Sequence, residues 1–215
     1  MQQILIKMIS TKPSRACLVP ETLDQFHIPF IPLDHANWSG QYPYKPTVKF
    51  RISYVDDCIL LHYVVTEESV AAVADDDGGR VWEDSCCEFF VTDPYDGTYY
   101  NFDLTCIGSL LAAKRTSRVN KTMISPSLLA SVKRYCSLDR KEVTIKDRIF
   151  CWTVAMLIPF ELIGLDKDNL PVSLRGNFYK CGDLTEHPHF LSWNPIKTPK
   201  PDFHRPEFFG EIILR

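Results

Sequence analysis

Two stretches hold the residues best suited to chemistry. The first, VWEDSCCEFFV, sets Trp82 ahead of a strand-like run carrying Glu88, and the second, YYNFDLTC, carries Asn101, Asp103 and Thr105. Successive side chains of a strand point to opposite faces. Asp84, Cys86, Glu88 and Phe90 therefore share one face, opposite Ser85, Cys87, Phe89 and Val91. Asn101, Asp103 and Thr105 share another, opposite Phe102, Leu104 and Cys106. Asp93-Pro94-Tyr95-Asp96-Gly97 between them reads as a hairpin loop. The two runs then form a polar floor of Glu88, Asn101, Asp103 and Thr105 bounded by Trp82. A pyranose offers apolar C–H faces that stack on a ring and a rim of hydroxyls that need donors and acceptors. This floor with its ring could serve both, although the same pattern also fits a solvated sheet face with Trp82 packed at its edge. Glu88 and Asp103 also raise glycoside hydrolysis, which requires two carboxyl groups about 5–10 Å apart across an open cleft and not side by side on one wall.

Little else in the chain points to catalysis. There is no GxSxG elbow, HExxH, P-loop or Gly-rich dinucleotide fingerprint. The eight cysteines (Cys17, Cys58, Cys86, Cys87, Cys106, Cys136, Cys151 and Cys181) mostly sit in apolar runs, where a free thiol behaves as a small buried hydrophobe. None has the spacing of a zinc motif. Asp75-Asp76-Asp77-Gly78 lacks the alternating ligands of a calcium loop and reads as a turn, with structural calcium as the alternative. No cofactor is expected. A formal net charge of −3 provides no basic stripe, which excludes nucleic acid as a partner. The N-terminal apolar stretch is broken by Lys7 and too short for a signal-peptide core, and no run is long enough to insert in a membrane. The expectation is a soluble chain, cytoplasmic, or periplasmic or extracellular if a leader was removed ahead of this numbering.

The elements that must position these residues are strands. Fifteen prolines and nine glycines separate short β-branched and aromatic runs. The runs predict strands at 47–55, 59–66, 86–92, 99–106, 109–113, 129–135, 151–158, 173–180 and 211–214, with at most one short helix, at 159–164. An all-β sandwich of two antiparallel sheets in a single domain over 1–215 follows. In VKFRISY, Val48, Phe50, Ile52 and Tyr54 face the core while Lys49, Arg51 and Ser53 face solvent. CILLHYVV is apolar on both faces except for His62, which reads as a satisfied core or edge histidine and not a ligand.

The runs WEDSCCEFFV and YYNFDLTCIG, with LSWNP and PDFHRPEFFGEI near the end, resemble the family 9 carbohydrate-binding modules of the DOMON-like β-sandwich superfamily. KPTVKFRISYVDDCILLHYVV is similar to the early strand pair of that fold, so the resemblance covers residues 36–215. It implies a jelly-roll-like sandwich that does no chemistry and holds a glycan or its chain end between two aromatic rings, in carbohydrate catabolism and alongside separate glycoside hydrolases. Trp82 matches the first ring and Glu88 an acid that accepts from sugar hydroxyls. Phe203 matches the second ring, lying six residues before Phe209 where the family carries tryptophan. Asp103 and Thr105 stand where binding members place basic and amide groups, so the missing donor falls to Arg115, Arg118, His204 or Arg205. Trp193, in LSWNP, matches a structural position of the fold and is also a candidate contact.

Overall fold

In a computed structural model of the chain, residues 1–141 and 143–215 are described. The strands in chain order begin with β1 (Gln3–Ile6), β2 (Ile31–Pro32), β3 (His35–Ala36), β4 (Thr47–Val55), β5 (Cys58–Glu67) and β6 (Val70–Ala72). They continue with β7 (Cys86–Thr92), β8 (Tyr99–Thr105), β9 (Leu110–Arg115), β10 (Lys121–Met123) and β11 (Lys133–Cys136). The last are β12 (Val143–Ile145), β13 (Phe150–Pro159), β14 (Ser173–Cys181), β15 (Phe190–Ser192) and β16 (Gly210–Leu214). Helices α1 (Val19–Gln25) and α2 (Pro126–Leu129) are short.

These strands build a β-sandwich. One sheet has nine strands, along the path β1-β16-β14-β7-β8-β9-β10, with β15 joining β14 and β3 joining β15. The other has five, in the order β11-β13-β5-β4-β2, and β12 pairs with β6 in a small ribbon. All these pairings are antiparallel except β1 with β16, the first strand with the last. The main core lies between the two large sheets, where Phe178 is stacked between Phe50, 4.0 Å away, and Phe89, 4.9 Å away. Trp193 meets Phe178 edge-on in the same core. Its ring lies against Gly210, where an added Cβ would also come within 2.9 Å of the Gln2 carbonyl, so the crossing of β14, β16 and the N-terminus requires glycine there.

Each sheet carries a further apolar cluster on its outer face. On the nine-stranded sheet, Val81, Cys86, Phe90, Tyr99, Tyr179 and Cys181 pack against the segments bearing Trp38, Ile196, Phe203 and Phe209. On the five-stranded sheet, Cys58, Leu60, Ala155 and Leu157 are covered by Val19, Leu23 and Ile28 around α1. That cover overturns the expectation that Arg51 and Ser53 face water. Both are buried: Arg51 ion-pairs with Asp24 and donates to Pro20 O at 2.8 Å, and Ser53 donates to Lys7 O at 2.6 Å. Burying a polar side chain is tolerated because the covering segment supplies its partners. His62 is a core histidine, with Nδ1 accepting from Arg51 Nε at 3.1 Å and Nε2 against Thr153 Oγ1.

The strand boundaries follow the period-two pattern closely, with β4 and β7 ending where the alternation ends. The segment expected as one strand over 129–135 is instead α2, begun by Ser125 capping the Leu128 N–H and by Pro126, followed by β11. The stretch at 159–164 forms a 3₁₀ turn over Phe160–Ile163, stopped by Gly164 at φ 71°. Helix α1, with proline in its first turn, lay outside the sequence expectation. Among the described residues no helix is long and apolar enough to cross a membrane.

Candidate functional site

The register of β7 on β8 places Glu88 opposite Asp103, Phe90 opposite Asn101 and Cys86 opposite Thr105. The two faces read from alternation therefore coincide on the outer side of the nine-stranded sheet. A cavity of about 440 Å³ opens over this floor. Glu88 and Asp103 form part of its base, together with Cys181 from the neighbouring strand β14. Its walls come from segments far apart in sequence: Tyr42, Trp82, Asp183, Phe190 and the run Lys200–His204. The β9–β10 hairpin adds Arg115, Arg118 and Lys121.

The base carries ionisable groups in an environment that disfavours their charge. Glu88 is 3% exposed and Asp103 4% exposed. Burial, reinforced by the neighbouring Asp103 charge, holds the Glu88 carboxyl well above its ordinary value. Burial raises Asp103 to about 7, against the hydrogen bond from Asn101 and the charge of Arg115. Asp183, pushed up to about 6 by burial and by Glu83, adds a third acid at the wall. Asp103 Oδ2 accepts from Asn101 Nδ2 at 2.9 Å, whereas its Oδ1 has no partner among the described residues. Asn101 in turn accepts from Arg115 Nε at 2.6 Å, and Arg115 Nη1 donates to the Arg118 carbonyl at 2.7 Å. Arg115 is 5% exposed. Its guanidinium is thus aimed by neutral oxygens, with no ion-pair partner among the described residues. His204 is kept neutral, lowered to about 3 by burial and by Arg115 and Arg118. Its Nδ1 lies 3.1 Å from the Tyr99 hydroxyl, and with that nitrogen as acceptor its Nε2 carries the proton.

The residues singled out from sequence fall into separate groups. Trp82, Glu88, Asp103, Phe203 and His204 line the cavity, as do Arg115 and Arg118. Trp82 is half-buried, while Phe203 is 8% exposed and stacks on Tyr179 at 4.2 Å with 9° between the rings. Asn101 lies behind the floor, linking Asp103 to Arg115. Thr105 is fully buried and accepts from the Ser109 N–H in the turn after β8. Trp193 belongs to the inter-sheet core, and Arg205 pairs with Glu207 on the surface. Tyr42, Phe190, Lys121, Asp183 and Cys181 were not anticipated. They reach the cavity by tertiary packing, which no local pattern announces; Cys181 lies one residue beyond the strand expected at 173–180. Asp77, the best placed acid of the 75–78 run, is engaged by Arg134 at 2.6 Å and by Arg140 at 3.2 Å.

Glu88 and Asp103 are direct cross-strand neighbours on one floor. They are not arranged as an acid and a base across a cleft, which removes the hydrolytic reading.

A family model described as carbohydrate-binding family 9 matches residues 17–214. Among solved structures, a Bacteroides uniformis protein provisionally described as carbohydrate-binding is 41% identical, with 100% of this chain and 99% of that one covered and a TM-score of 0.93. A family 9 carbohydrate-binding module from Caldicellulosiruptor kristjanssonii, solved in complex with glucose, is 13% identical over 100% of this chain and 96% of its own, with a TM-score of 0.60. A module of the same family and organism in complex with cellotriose gives 12% identity, 100% and 94% coverage and a TM-score of 0.59. No curated protein matches the chain.

Proposed function

The chain belongs to carbohydrate-binding family 9, and we propose that the cavity over β7, β8 and β14 binds a saccharide, a free sugar or the end of a glycan, without cleaving it. The observation that carries this reading is the pairing of a half-buried ring, Trp82, with a base whose carboxyl groups keep free acceptor capacity, above all Asp103 Oδ1. Trp82 stacks on a pyranose face. Glu88, Asp103 and Asp183 meet hydroxyls as acceptors when ionised and as donors when protonated. Arg115 and His204 supply donors whatever the protonation state of these acids.

The cavity volume, about 440 Å³, suits a ligand of one or two sugar rings. Glucose and cellotriose, one ring and three, in modules of the same fold support a saccharide ligand, with one or two rings inside the cavity. Shallow polar sites of this kind give affinities on the order of micromolar to millimolar. A role beside separate glycoside hydrolases in glycan breakdown is part of the same proposal.

Intrinsic fluorescence during titration with mono- and oligosaccharides tests it. Trp38, Trp152 and Trp193 are each at least nine-tenths buried, so a saturable change reports mainly on Trp82. The expected result is saturation by one sugar class, lost in Trp82→Ala. A silent response across a broad glycan panel from the folded protein would overturn the reading.

A further inference from the structure

At the base of the cavity, Glu88 and Cys181 meet a third potential metal ligand, Cys86, which sits beside them without lining the cavity, a set that no local sequence spacing announces. Cys86 and Cys181 are opposite one another across β7 and β14, and Glu88 follows Cys86 by two residues on the same face of β7. Each offers one ligand atom, and the three atoms lie within 4.8 Å of one another. Cys181 Sγ is 3.0 Å from Glu88 Oε1. All three residues are at most 3% exposed. A tetrahedral zinc ion, with Zn–S of about 2.3 Å and Zn–O of about 2.0–2.2 Å, sets its ligand atoms roughly 3.6–3.8 Å apart. Adjustments of about 1 Å or less in side chains already held by strand register would reach that spacing.

We propose that Cys86, Glu88 and Cys181 bind a zinc-class divalent cation whose fourth position opens on the cavity. Two sulfur ligands select a borderline-soft metal over calcium or magnesium, which take oxygen ligands. Three protein ligands with one position left open is the arrangement that presents a metal to an outside oxygen, here water or a ligand hydroxyl.

A second observation points to a ligand at this spot. Asp103, opposite Glu88 in the ladder and 4% exposed, keeps Oδ1 without a partner among the described residues and lines the same cavity. It is placed to accept a hydrogen bond from an oxygen bound to the cation. Charge is consistent as well. Two thiolates and a carboxylate around a divalent ion leave one net negative charge, with the buried Arg115 and the exposed Lys121 lining the same cavity. On binding, the two thiol protons, and the proton of Glu88 where it is held, leave to solvent. The proposal stands on this ligand set and does not depend on saccharide binding.

The test is titration of the full chain with cobalt, as a coloured substitute for zinc, after stripping with a chelator and under a phosphine reductant. No saccharide is present, so a protein that binds no glycan can still pass or fail. The expected result is a thiolate-to-cobalt charge-transfer band with tetrahedral d–d absorption, saturating at roughly one equivalent and bleached by zinc. Cys86→Ser and Cys181→Ser should lose the charge-transfer intensity and weaken zinc binding by more than the ~10–100-fold typical of an outer-shell partner. Cys58→Ser, which alters a buried thiol in a different core cluster, should leave both unchanged. Native mass spectrometry of the unsubstituted chain, which needs no variant to fold, should count a single bound zinc. A folded chain with no thiolate–cobalt band, a band that persists in both serine variants, or a mass spectrum without zinc would each overturn the assignment.

Discussion

Lys180 and Cys181 are consecutive residues of β14, yet alternation sends them into two different buried polar clusters. Lys180 points between the sheets. Its ammonium lies 3.0 Å from Glu67 Oε2 and donates to the Cys181 carbonyl at 2.8 Å and to His189 Nε2 at 2.7 Å. Glu67 Oε1 accepts from Trp152 Nε1 at 2.7 Å, and His189 Nδ1 donates to the His187 carbonyl at 2.7 Å. Burial opposes the Lys180 charge, but its surroundings, Glu67 foremost, together outweigh it and the pKa is raised, while burial and the Lys180 charge keep His189 neutral. Cys181 points the other way, toward Glu88 and Asp103, where one carboxyl oxygen is unpartnered and Arg115 has no carboxylate in ion-pair range among the described residues. Both clusters are almost entirely buried. In one, charge is matched from within the protein; in the other, hydrogen-bonding capacity is left over beside a cavity. Burial alone does not distinguish a structural network from a binding site, nor does a lone oxygen without a hydrogen bond, since Glu67 Oε2 has only its ion pair with Lys180; an oxygen with neither kind of partner that faces a cavity does.

Breaking the matched cluster should have the largest effect. Lys180→Met strands the Glu67 carboxylate, and loss of one partner of a buried pair costs about 3–5 kcal/mol. At this chain length that lowers the Tm by on the order of 10 °C, measured by thermal denaturation. The double variant Lys180→Met/Glu67→Gln should recover most of the loss. An equally destabilised double variant would contradict the pairing.

The open cluster should respond to pH instead. The folded Asp103 carboxyl is raised to about 7 from the ordinary 3.8, so the folded state holds a proton that the unfolded state has already lost. This contribution to stability is complete below about pH 4 and is lost as pH rises toward 7. Asp103→Asn should flatten that decline by on the order of 4 kcal/mol across the window, read from urea unfolding at several pH values. A slope identical to that of the parent would mean that Asp103 titrates normally.

Trp82→Ala and Glu88→Gln sharpen the contrast from the other side. Each should weaken saccharide binding at least about tenfold, roughly 1.4 kcal/mol, while Tm moves far less than in Lys180→Met. Calorimetric titration alongside thermal denaturation separates the two quantities. Arg205→Ala should have the smallest effect, within ~0.5 kcal/mol on stability and less than that on binding, since its short contact is with the exposed Glu207 and it reaches the cavity wall only through Asp202 at 4.0 Å.

The sequence made the floor of the site legible because a floor built on strands obeys a local rule. Counting by two from Asp84 and from Asn101 picks out the residues that the register brings together. The walls follow no such rule. Tyr42, Phe190 and Lys200 reach the cavity through loops whose paths are set by packing. Arg51 shows the same limit in the fold: its alternation was read correctly, but α1, more than twenty residues upstream, converts an outer face into an interface. Cys86 and Cys181 lie far apart in the chain and meet only across β7 and β14, so no spacing motif could have joined them with Glu88.

The parallel pairing of β1 with β16 carries a consequence for how the molecule is made. Gln3 lies in register with Glu211, and their side chains are joined by a hydrogen bond of 2.6 Å across a separation of 208 residues. The strand that bridges β14 to β1 pairs with segments from opposite ends of the fold, so the larger sheet closes only when residues 208 positions apart have met. Contacts of such long range slow folding, and until they form, the edge of β14 facing β16 is unprotected. A partly folded chain therefore presents an edge that can pair with other chains.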